Sequence, residues 1–249
     1  MVELQHIIKV FNKGKVNEVN ALRDVSLQID KGDFVVMIGS NGSGKSTLLN
    51  LVAGNEICSS GTITINGINA TALQDYQRSK WMARVFQNPF NGTAPDLTIL
   101  DNFRLAALRA QPKKLSIGIN ASFKKTVQEK IAQLGMGLEN KLTQLMGSLS
   151  GGQRQALTLL MSVMDETDIL LLDEPTAALD PKSALVVLDL AQTLNKELGI
   201  TTILVTHNLK DAHHYGNRLI QLQQGQVIRD LDSGSKEKLM LKDMYGWFG

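Results

Sequence analysis

The chain has 249 residues, of which 43% are hydrophobic and 20% are charged. These proportions are typical of a globular protein, and the length suffices for one large α/β domain or a core with a small lobe. The net charge of +2 gives no support to a strongly electrostatic partner, so we expect no nucleic-acid partner. The single cysteine, Cys58, excludes an internal disulfide and favours a reducing compartment.

The beginning of the chain predicts a strand rather than a targeting segment. Val2 to Phe11 alternates between apolar and polar residues from the start, so we expect no signal peptide. The longest apolar runs, Phe34 to Ile38 and Ile169 to Leu172, are far shorter than the roughly 20 residues that a spanning helix needs. We therefore expect no transmembrane helix.

In chain order, the first part of the sequence predicts five strands and one helix. A turn at residues 31–33 follows the second strand, and the third strand is continuously apolar, as a strand buried on both faces should be. The predicted strands are 3–11, 25–29, 34–38, 61–66 and 82–86, and the predicted helix is 46–53.

The middle of the chain differs from both ends because it contains few strand signals. Residues 88–164 carry Pro89, Pro95 and Pro112 and several helical stretches, which predicts a mostly helical lobe inserted into a sheet domain. Beyond it we expect a strand at 169–172, a helix at 182–198, a strand at 202–205 and a hairpin of 218–222 with 227–231. Alternating strands and helices favour a mainly parallel sheet.

A glycine-rich loop between a predicted strand and a predicted helix provides the first chemical signal. Residues 39–46 match the pattern G-x-x-x-x-G-K-[ST] in the required strand–loop–helix context. Glycines let backbone N–H groups surround phosphates, a lysine supplies a compact cation, and a serine hydroxyl can hold Mg²⁺. The candidate ATP-binding residues are Gly39, Ser40, Asn41, Gly42, Ser43, Gly44, Lys45, Ser46 and Thr47.

The apolar strand predicted at 169–172 ends in two carboxylates, Asp173 and Glu174. The first can reach a metal ion, and the second can orient water for attack on a γ-phosphate. Alone, such a run is weak evidence and is often structural. Downstream of a phosphate loop, it indicates nucleotide hydrolysis.

The ordered set of motifs resembles the ATP-binding cassette (ABC) ATPases over nearly the whole chain. The motifs are GSNGSGKST at 39–47, VFQNP around Gln87, LSGGQ at 149–153, LLLDEP at 170–175, AALD at 177–180 and VTH ending at His207. The resemblance implies a P-loop NTPase (RecA-like) α/β core with a parallel sheet, an N-terminal antiparallel β subdomain and an inserted α-helical lobe. It also implies one domain over 1–249, with a nucleotide-binding core at 1–87 and 165–249 and a helical signature subdomain at 88–164.

LSGGQ is the most specific of these motifs. In the family two cassettes meet head to tail, and the LSGGQ turn of one covers the ATP that the other holds. By that resemblance Ser150, Gly151 and Gly152 contact the γ-phosphate of the partner's nucleotide, with Gln153 nearby, and the helix that begins there directs its positive dipole end at the phosphate. Asp180 is assigned to contacts across the dimer.

The resemblance assigns the remaining roles residue by residue. Glu174 is the catalytic base or water-positioning group, Gln87 senses Mg²⁺ and the attacking water, and His207 contacts the γ-phosphate. Ser46, Gln87 and Asp173 are the candidate metal-site residues, so ATP and Mg²⁺ are the expected cofactors. Phe11 resembles the aromatic residue that stacks on adenine. A core aromatic, a solvated loop amide and a structural histidine remain the alternatives for Phe11, Gln87 and His207.

The resemblance extends to a subgroup of ATPase subunits of bacterial importers, some assigned to tryptophan or tyrosine uptake. It implies a homodimer that docks on two copies of an integral-membrane permease through residues 88–102, on the cytoplasmic face of the inner membrane, with a substrate-binding protein as an indirect partner. Lipid or lipoprotein extraction, efflux, a non-transport cassette and a monomeric P-loop kinase are the alternatives, in that order.

Three weaker features stay open. The segment 102–128 contains Arg104, Arg109, Lys113, Lys114, Lys124 and Lys125 and no acid, which predicts either a solvated face or a surface near anionic lipid headgroups. His213 and His214 are adjacent on a predicted helix and therefore face different directions. Tyr245, Trp247 and Phe248 are expected to pack against the sheet domain or a subunit.

Overall fold

The computed structural model describes residues 1–108 and 118–248. The strands are β1 (Val2–Phe11), β2 (Val19–Ile29), β3 (Phe34–Ile38), β4 (Ser60–Ile65), β5 (Ile68–Asn69), β6 (Met82–Val85), β7 (Ile169–Asp173), β8 (Thr201–Val205), β9 (Arg218–Gln223) and β10 (Gln226–Leu231). The helices are α1 (Lys45–Ala53), α2 (Asp75–Arg78), α3 (Ile99–Ala106), α4 (Ala121–Ala132), α5 (Gly151–Ser162), α6 (Pro181–Leu198), α7 (Leu209–His214), α8 (Ser233–Glu237) and α9 (Leu241–Tyr245), with a 3₁₀ turn at Met146–Ser148.

The chain divides into two compact units, which are described separately. The first unit comprises Met1–Arg78 and Asn195–Gly249, and the second comprises Ser79–Leu194. Among the described residues, none of the helices combines the length and the apolar character that crossing a bilayer requires.

In the first unit, an antiparallel sheet is formed in the order β2-β1-β4-β5. β2 begins at Val19, six residues before the predicted start at Val25. The added half of the strand is mostly exposed and its pairing with β1 is irregular, so its sequence lacks the alternation that would have revealed it. β5 and the helices α2, α8 and α9 are short and were not predicted.

The same unit contains the parallel strands that position the phosphate loop. β3 is buried along its whole length and pairs in parallel with β8 on one side and β9 on the other. β9 returns antiparallel into β10 through a two-residue turn in which Gln224 and Gly225 both have positive φ, as a hairpin of this length favours. The carboxyl ends of β3 and β8 therefore lie at one edge of the sheet.

The second unit pairs β6 and β7 in parallel and carries α3, α4 and α5, so the helical character expected for its middle is observed. Every residue of α5 from Arg154 to Ser162 is buried, which explains why this helix has no clear polar face in the sequence. Of the basic segment, Arg104, Lys124 and Lys125 are described, whereas Arg109, Lys113 and Lys114 lie outside the described residues.

The three aromatic residues near the C-terminus do not share one environment. The Trp247 ring lies under the Arg229 guanidinium of β10, with 4.6 Å between Cζ and the ring centroid. Tyr245 and Phe248 are largely exposed. The expected packing against the sheet domain is therefore observed for Trp247, and a subunit contact stays the prediction for Tyr245 and Phe248.

Candidate functional site

The phosphate loop connects the buried end of β3 to the first turn of α1. Gly44, the residue before the helix, has φ 104°, and a Cβ there would lie 2.8 Å from the Ala21 carbonyl oxygen of β2. Only glycine fits both the backbone conformation and the space. Within the described residues, no side chain caps α1 and no acid lies in its first turn. The backbone N–H groups of this turn can therefore serve a bound anion.

The ammonium group of Lys45 is held inside the phosphate loop. Lys45 is 6% exposed, and its ammonium donates hydrogen bonds to the carbonyl oxygens of Gly39 at 2.8 Å and Ser40 at 3.0 Å. The hairpin turn between β9 and β10 supports the loop from outside, because the Gly225 N–H donates to the Ser43 carbonyl at 3.0 Å. The Lys45 ammonium thus lies inside the loop, where it can form a charge-assisted hydrogen bond with a phosphate.

His207 lies at the same edge of the parallel strands as the phosphate loop. The Thr206 N–H donates to the Met37 carbonyl of β3 at 3.1 Å, and the exposed His207 follows directly. Asn208 then caps α7 by accepting from the N–H groups of Lys210 and Asp211. Burial raises the pKa of the Asp211 carboxyl, and the nearby His207 opposes that rise. The structure therefore brings His207 and the loop residues 39–47 to one edge.

Phe11 ends β1 and pairs with Val19 of β2. Two residues further along β2, Ala21 contacts the Gly44 position of the phosphate loop, so β2 connects the two features. The Lys9 ammonium lies 4.6 Å from the centroid of the Phe11 ring and is itself bound to the Glu56 carboxylate at 2.7 Å. One face of the half-buried ring is therefore already covered by a cation.

In the second unit, the two acidic residues follow the buried part of β7. Asp173 accepts a hydrogen bond from the Arg84 guanidinium of β6 at 2.6 Å, and the two side chains are 17% and 15% exposed. Glu174 has φ 47°, a left-handed conformation that is uncommon for a residue other than glycine. This left-handed residue follows directly on Asp173, the last residue of β7.

Gln87 is exposed just beyond β6, at the edge where parallel β7 ends with Asp173. The preceding residue, Phe86, is fixed from α5 because the Gln155 side-chain amide donates to its carbonyl at 2.9 Å. An open cavity of about 580 Å³ is lined by Gln87, Asp173 and Gly151, among others. The structure therefore brings three predicted features to one cavity: Gln87, which we call the switch glutamine, the candidate metal-site residue Asp173, and the LSGGQ turn at 149–153, which we call the signature turn.

The signature turn is an N-terminal cap of α5. The Ser150 hydroxyl accepts from the Gln153 N–H at 3.3 Å, and the Gln153 side chain accepts from the Ser150 N–H at 3.2 Å, which is a capping box. Gly152 is buried against Ser183, whose side chain occupies the space that a Cβ on Gly152 would need. Gln153 thus helps to cap α5, besides its predicted place near the partner's γ-phosphate.

Asp180 caps α6 in a similar way. Its carboxylate accepts from the Ser183 hydroxyl at 2.6 Å and from the Ser183 N–H at 3.1 Å. These bonds, the hydroxyl first, lower the pKa of the Asp180 carboxyl. Ser183 therefore connects the residue predicted to cross the dimer with the signature glycine at position 152.

Sequence reasoning missed four residues that support the candidate residues of each unit: Gly225 in the first, and Arg84, Gln155 and Ser183 in the second. Arg84 could have been noticed, because a charged residue inside a buried strand needs a partner. The contacts of Gln155, Ser183 and Gly225 each join segments that are far apart in the chain, and nothing local in the sequence indicates them.

Comparison with known proteins identifies the family. The family model described as ABC transporter matches residues 22–177. The tyrosine transport ATP-binding protein of Clostridioides difficile is 40% identical over 251 residues, covering 98% of this chain and 97% of that protein. The macrolide export ATP-binding/permease protein MacB of Neisseria meningitidis is 35% identical over 92% of this chain but only 34% of its own length.

The chain is also similar to solved structures of ATP-binding cassettes. A dimeric structure of the ATP-binding cassette MJ0796 in a post-hydrolysis state, bound to ADP and phosphate, has a TM-score of 0.80 and 31% identity, covering 94% of this chain and 99% of that one. The α/β cassette architecture expected from the sequence is therefore confirmed. The chain belongs to the ABC transporter family, as an ATP-binding and ATP-hydrolysing subunit.

Proposed function

We propose that this chain drives a bacterial importer by closing as a homodimer around ATP. In this dimer the phosphate loop of one copy and the signature turn of the other hold each nucleotide. The observation that carries the proposal is the phosphate loop itself, with its buried Lys45 and the uncapped first turn of α1 at the strand edge that also presents His207. Hydrolysis then removes the γ-phosphate that joins the two copies.

The proposed binding roles follow the motifs. Residues 39–47 surround the phosphates, and Phe11 contacts the adenine. Ser150, Gly151, Gly152 and Gln153 read the γ-phosphate of the partner's nucleotide. Asp180 approaches the partner while it caps α6.

Glu174 acts as the base or water-positioning group, because a carboxylate can polarise the attacking water. Its left-handed backbone fixes the direction in which the carboxylate leaves the end of β7. Gln87 contributes to the same step by contacting the water, and His207 contacts the γ-phosphate.

Mg²⁺ fits the donor set that these roles supply. Ser46, Gln87 and Asp173 offer hydroxyl, amide and carboxylate oxygens, which are the ligands that Mg²⁺ prefers together with phosphate oxygens. Bound there, the ion would neutralise charge on the β- and γ-phosphates. Asp173, which lies at the end of β7, is the carboxylate of this set.

An integral-membrane permease is the proposed partner in transport, with the subunit on the cytoplasmic face of the membrane. Residues 88–102 follow Gln87 directly, and Phe90 in this segment is 61% exposed although it is a large apolar side chain. A permease that covers this segment would bury the apolar surface of Phe90. The likeness to a tyrosine transport subunit over nearly the whole of both chains favours import, with a substrate-binding protein as an indirect partner.

Efflux is the second candidate. It is favoured by the 35% identity to MacB, a macrolide export ATP-binding/permease protein. This chain covers only the cassette part of that protein's length, so the likeness concerns the ATPase and says little about direction.

Two variants test the shared nucleotide site. Glu174→Gln should bind ATP but stall turnover, and light scattering should show a stable ATP-dependent dimer. Ser150→Arg should bind nucleotide as a monomer and fail to dimerise, because a large side chain fills the signature turn. ATP-driven dimerisation of Ser150→Arg at the wild-type protein concentration would refute the shared site, and an unchanged hydrolysis rate of Glu174→Gln would refute its role.

A further inference from the structure

Arg84 is a charged residue in a strand that is otherwise apolar. β6 consists of Met82, Ala83, Arg84 and Val85, and the Arg84 side chain is 15% exposed. Placing a guanidinium at such a position is costly unless it is paired and hydrogen-bonded. Its presence on this strand therefore points to a specific partner.

Strand register determines that partner. Arg84 lies opposite Leu171 in the parallel pairing of β6 with β7. Because side chains alternate along a strand, Leu171 and Asp173 project from the same face of β7. The Arg84 guanidinium reaches diagonally across this face, and Nη2 lies 2.6 Å from the Asp173 Oδ2.

We propose that Arg84 is a positioning residue that occupies the Asp173 carboxylate until Mg²⁺ and nucleotide bind and displace it. This inference rests on the metal role proposed for Asp173. A dication and a guanidinium that share one half-buried carboxylate repel each other and compete for its oxygens. Arg84 therefore raises the Mg²⁺ concentration that the site requires, while it keeps the Asp173 carboxylate paired and oriented.

The surroundings of Arg84 leave the guanidinium room to move. It lines an open cavity of about 440 Å³ together with the polar side chains of Thr93, Asn102, Thr158 and Ser162. A guanidinium that leaves Asp173 can thus be hydrated in this open cavity, beside threonine and serine hydroxyl oxygens that can accept a further hydrogen bond.

The same side chain contacts the segment that carries the switch glutamine. The Arg84 Cζ lies 4.9 Å from the centroid of the Phe86 ring, and Phe86 immediately precedes Gln87. The Phe86 carbonyl is bound by Gln155 of α5. If the Arg84 guanidinium left Asp173, its contact with the Phe86 ring would change, directly before Gln87 in the chain.

Metal-dependent binding of a fluorescent ATP analogue to the full chain tests the proposal without measuring turnover. The quantity is the Mg²⁺ concentration at half-maximal binding. Arg84→Gln should lower it by about 3- to 10-fold, because a competing buried ion pair is removed. The matched control is Arg218→Gln, which removes a 2.6 Å pair with Asp230 in the other unit and should leave the Mg²⁺ requirement unchanged.

The outcomes separate the two proposals. An unchanged or raised Mg²⁺ requirement in Arg84→Gln overturns the competition, as does an equal decrease in Arg218→Gln. If wild-type binding does not depend on Mg²⁺ at all, the metal role of Asp173 fails and the inference fails with it. If Arg84→Gln does not fold, Arg84→Lys is the second variant, because lysine keeps the charge but lacks the planar guanidinium and is more strongly hydrated. The Mg²⁺ concentration at half-maximal binding should then fall by about 2-fold. No fall contradicts the proposal.

Discussion

The phosphate loop and the signature turn both begin a helix, but they are built differently. At the phosphate loop, the cation Lys45 is buried, and no side chain caps α1. At the signature turn, Ser150 is exposed and, together with Gln153, caps α5. The cation of α5, Arg154, is buried and donates back to the Gly147 carbonyl at 2.9 Å. The first turn can bind an anion alone, whereas in the proposed dimer the second meets a phosphate that another chain holds in place.

The glycines of the two turns also serve different purposes. Gly44 provides a left-handed backbone conformation directly before α1. Gly152 belongs to α5 and has no positive φ, and glycine is needed there because Ser183 fills the adjacent space. A glycine-rich motif can thus reflect backbone conformation in one turn and close packing in the other.

The largest effect is expected from Lys45→Met, which removes the cation from the phosphate loop. Nucleotide affinity should fall by roughly 100-fold, since hydrogen bonds to charged groups are worth up to about 3 kcal/mol. Titration with a fluorescent ATP analogue measures this. Lys236→Met is the control, because Lys236 is also 6% exposed and donates to backbone carbonyls, yet no role in nucleotide binding is proposed for it. Equal losses in both variants would contradict a special role for Lys45.

A second variant, Ser150→Asp, separates capping from phosphate reading at the signature turn. Aspartate caps helices as well as serine does, so thermal stability should stay close to that of the wild type. Its negative charge should repel the partner's phosphate and raise the protein concentration needed for ATP-driven dimerisation by at least about 10-fold. Light scattering measures the dimerisation. Dimerisation at wild-type concentrations would show that the turn does not meet a phosphate.

The sequence predicted the phosphate loop well because its chemistry is local. The strand before it, the glycines and Lys45 lie within a dozen residues. In the structure the Lys45 ammonium donates to the Gly39 carbonyl of the same loop. The long-range contacts were not predicted. Ser183 fills the space beside Gly152, which lies 31 positions earlier, and Arg84 binds Asp173, which lies 89 positions later. Local patterns specify which residues begin a helix, but tertiary packing decides what the helix end contacts.

The two signature glycines provide a third test. Gly152→Ala should lower the free energy of unfolding by about 2 kcal/mol, because the added methyl overlaps Ser183 in a packed region. Gly151→Ala is the matched control, since its new methyl would meet Leu179 at an ordinary 3.6 Å and alanine favours the helix. Urea denaturation measures both. Equal stability of the two variants would show that Ser183 moves aside without cost.

The smallest effect is expected from Lys236, through the pH dependence of the free energy of unfolding. It tests how burial alone affects a lysine. Burial lowers its pKa to about 8, from 10.5 in the unfolded chain. Above pH 8 the unfolded chain binds a proton that the folded chain has released, so this contribution to stability rises with pH. Between pH 7 and pH 9 the wild type should gain about 1 kcal/mol relative to Lys236→Met.

Urea denaturation of both proteins at the two pH values measures that difference. A gain near zero would mean that the hydrogen bonds from the Lys236 ammonium to the carbonyls of Tyr215 and Gly216 offset the cost of burial. A lysine enclosed by carbonyls would then be stable as a cation without any anion.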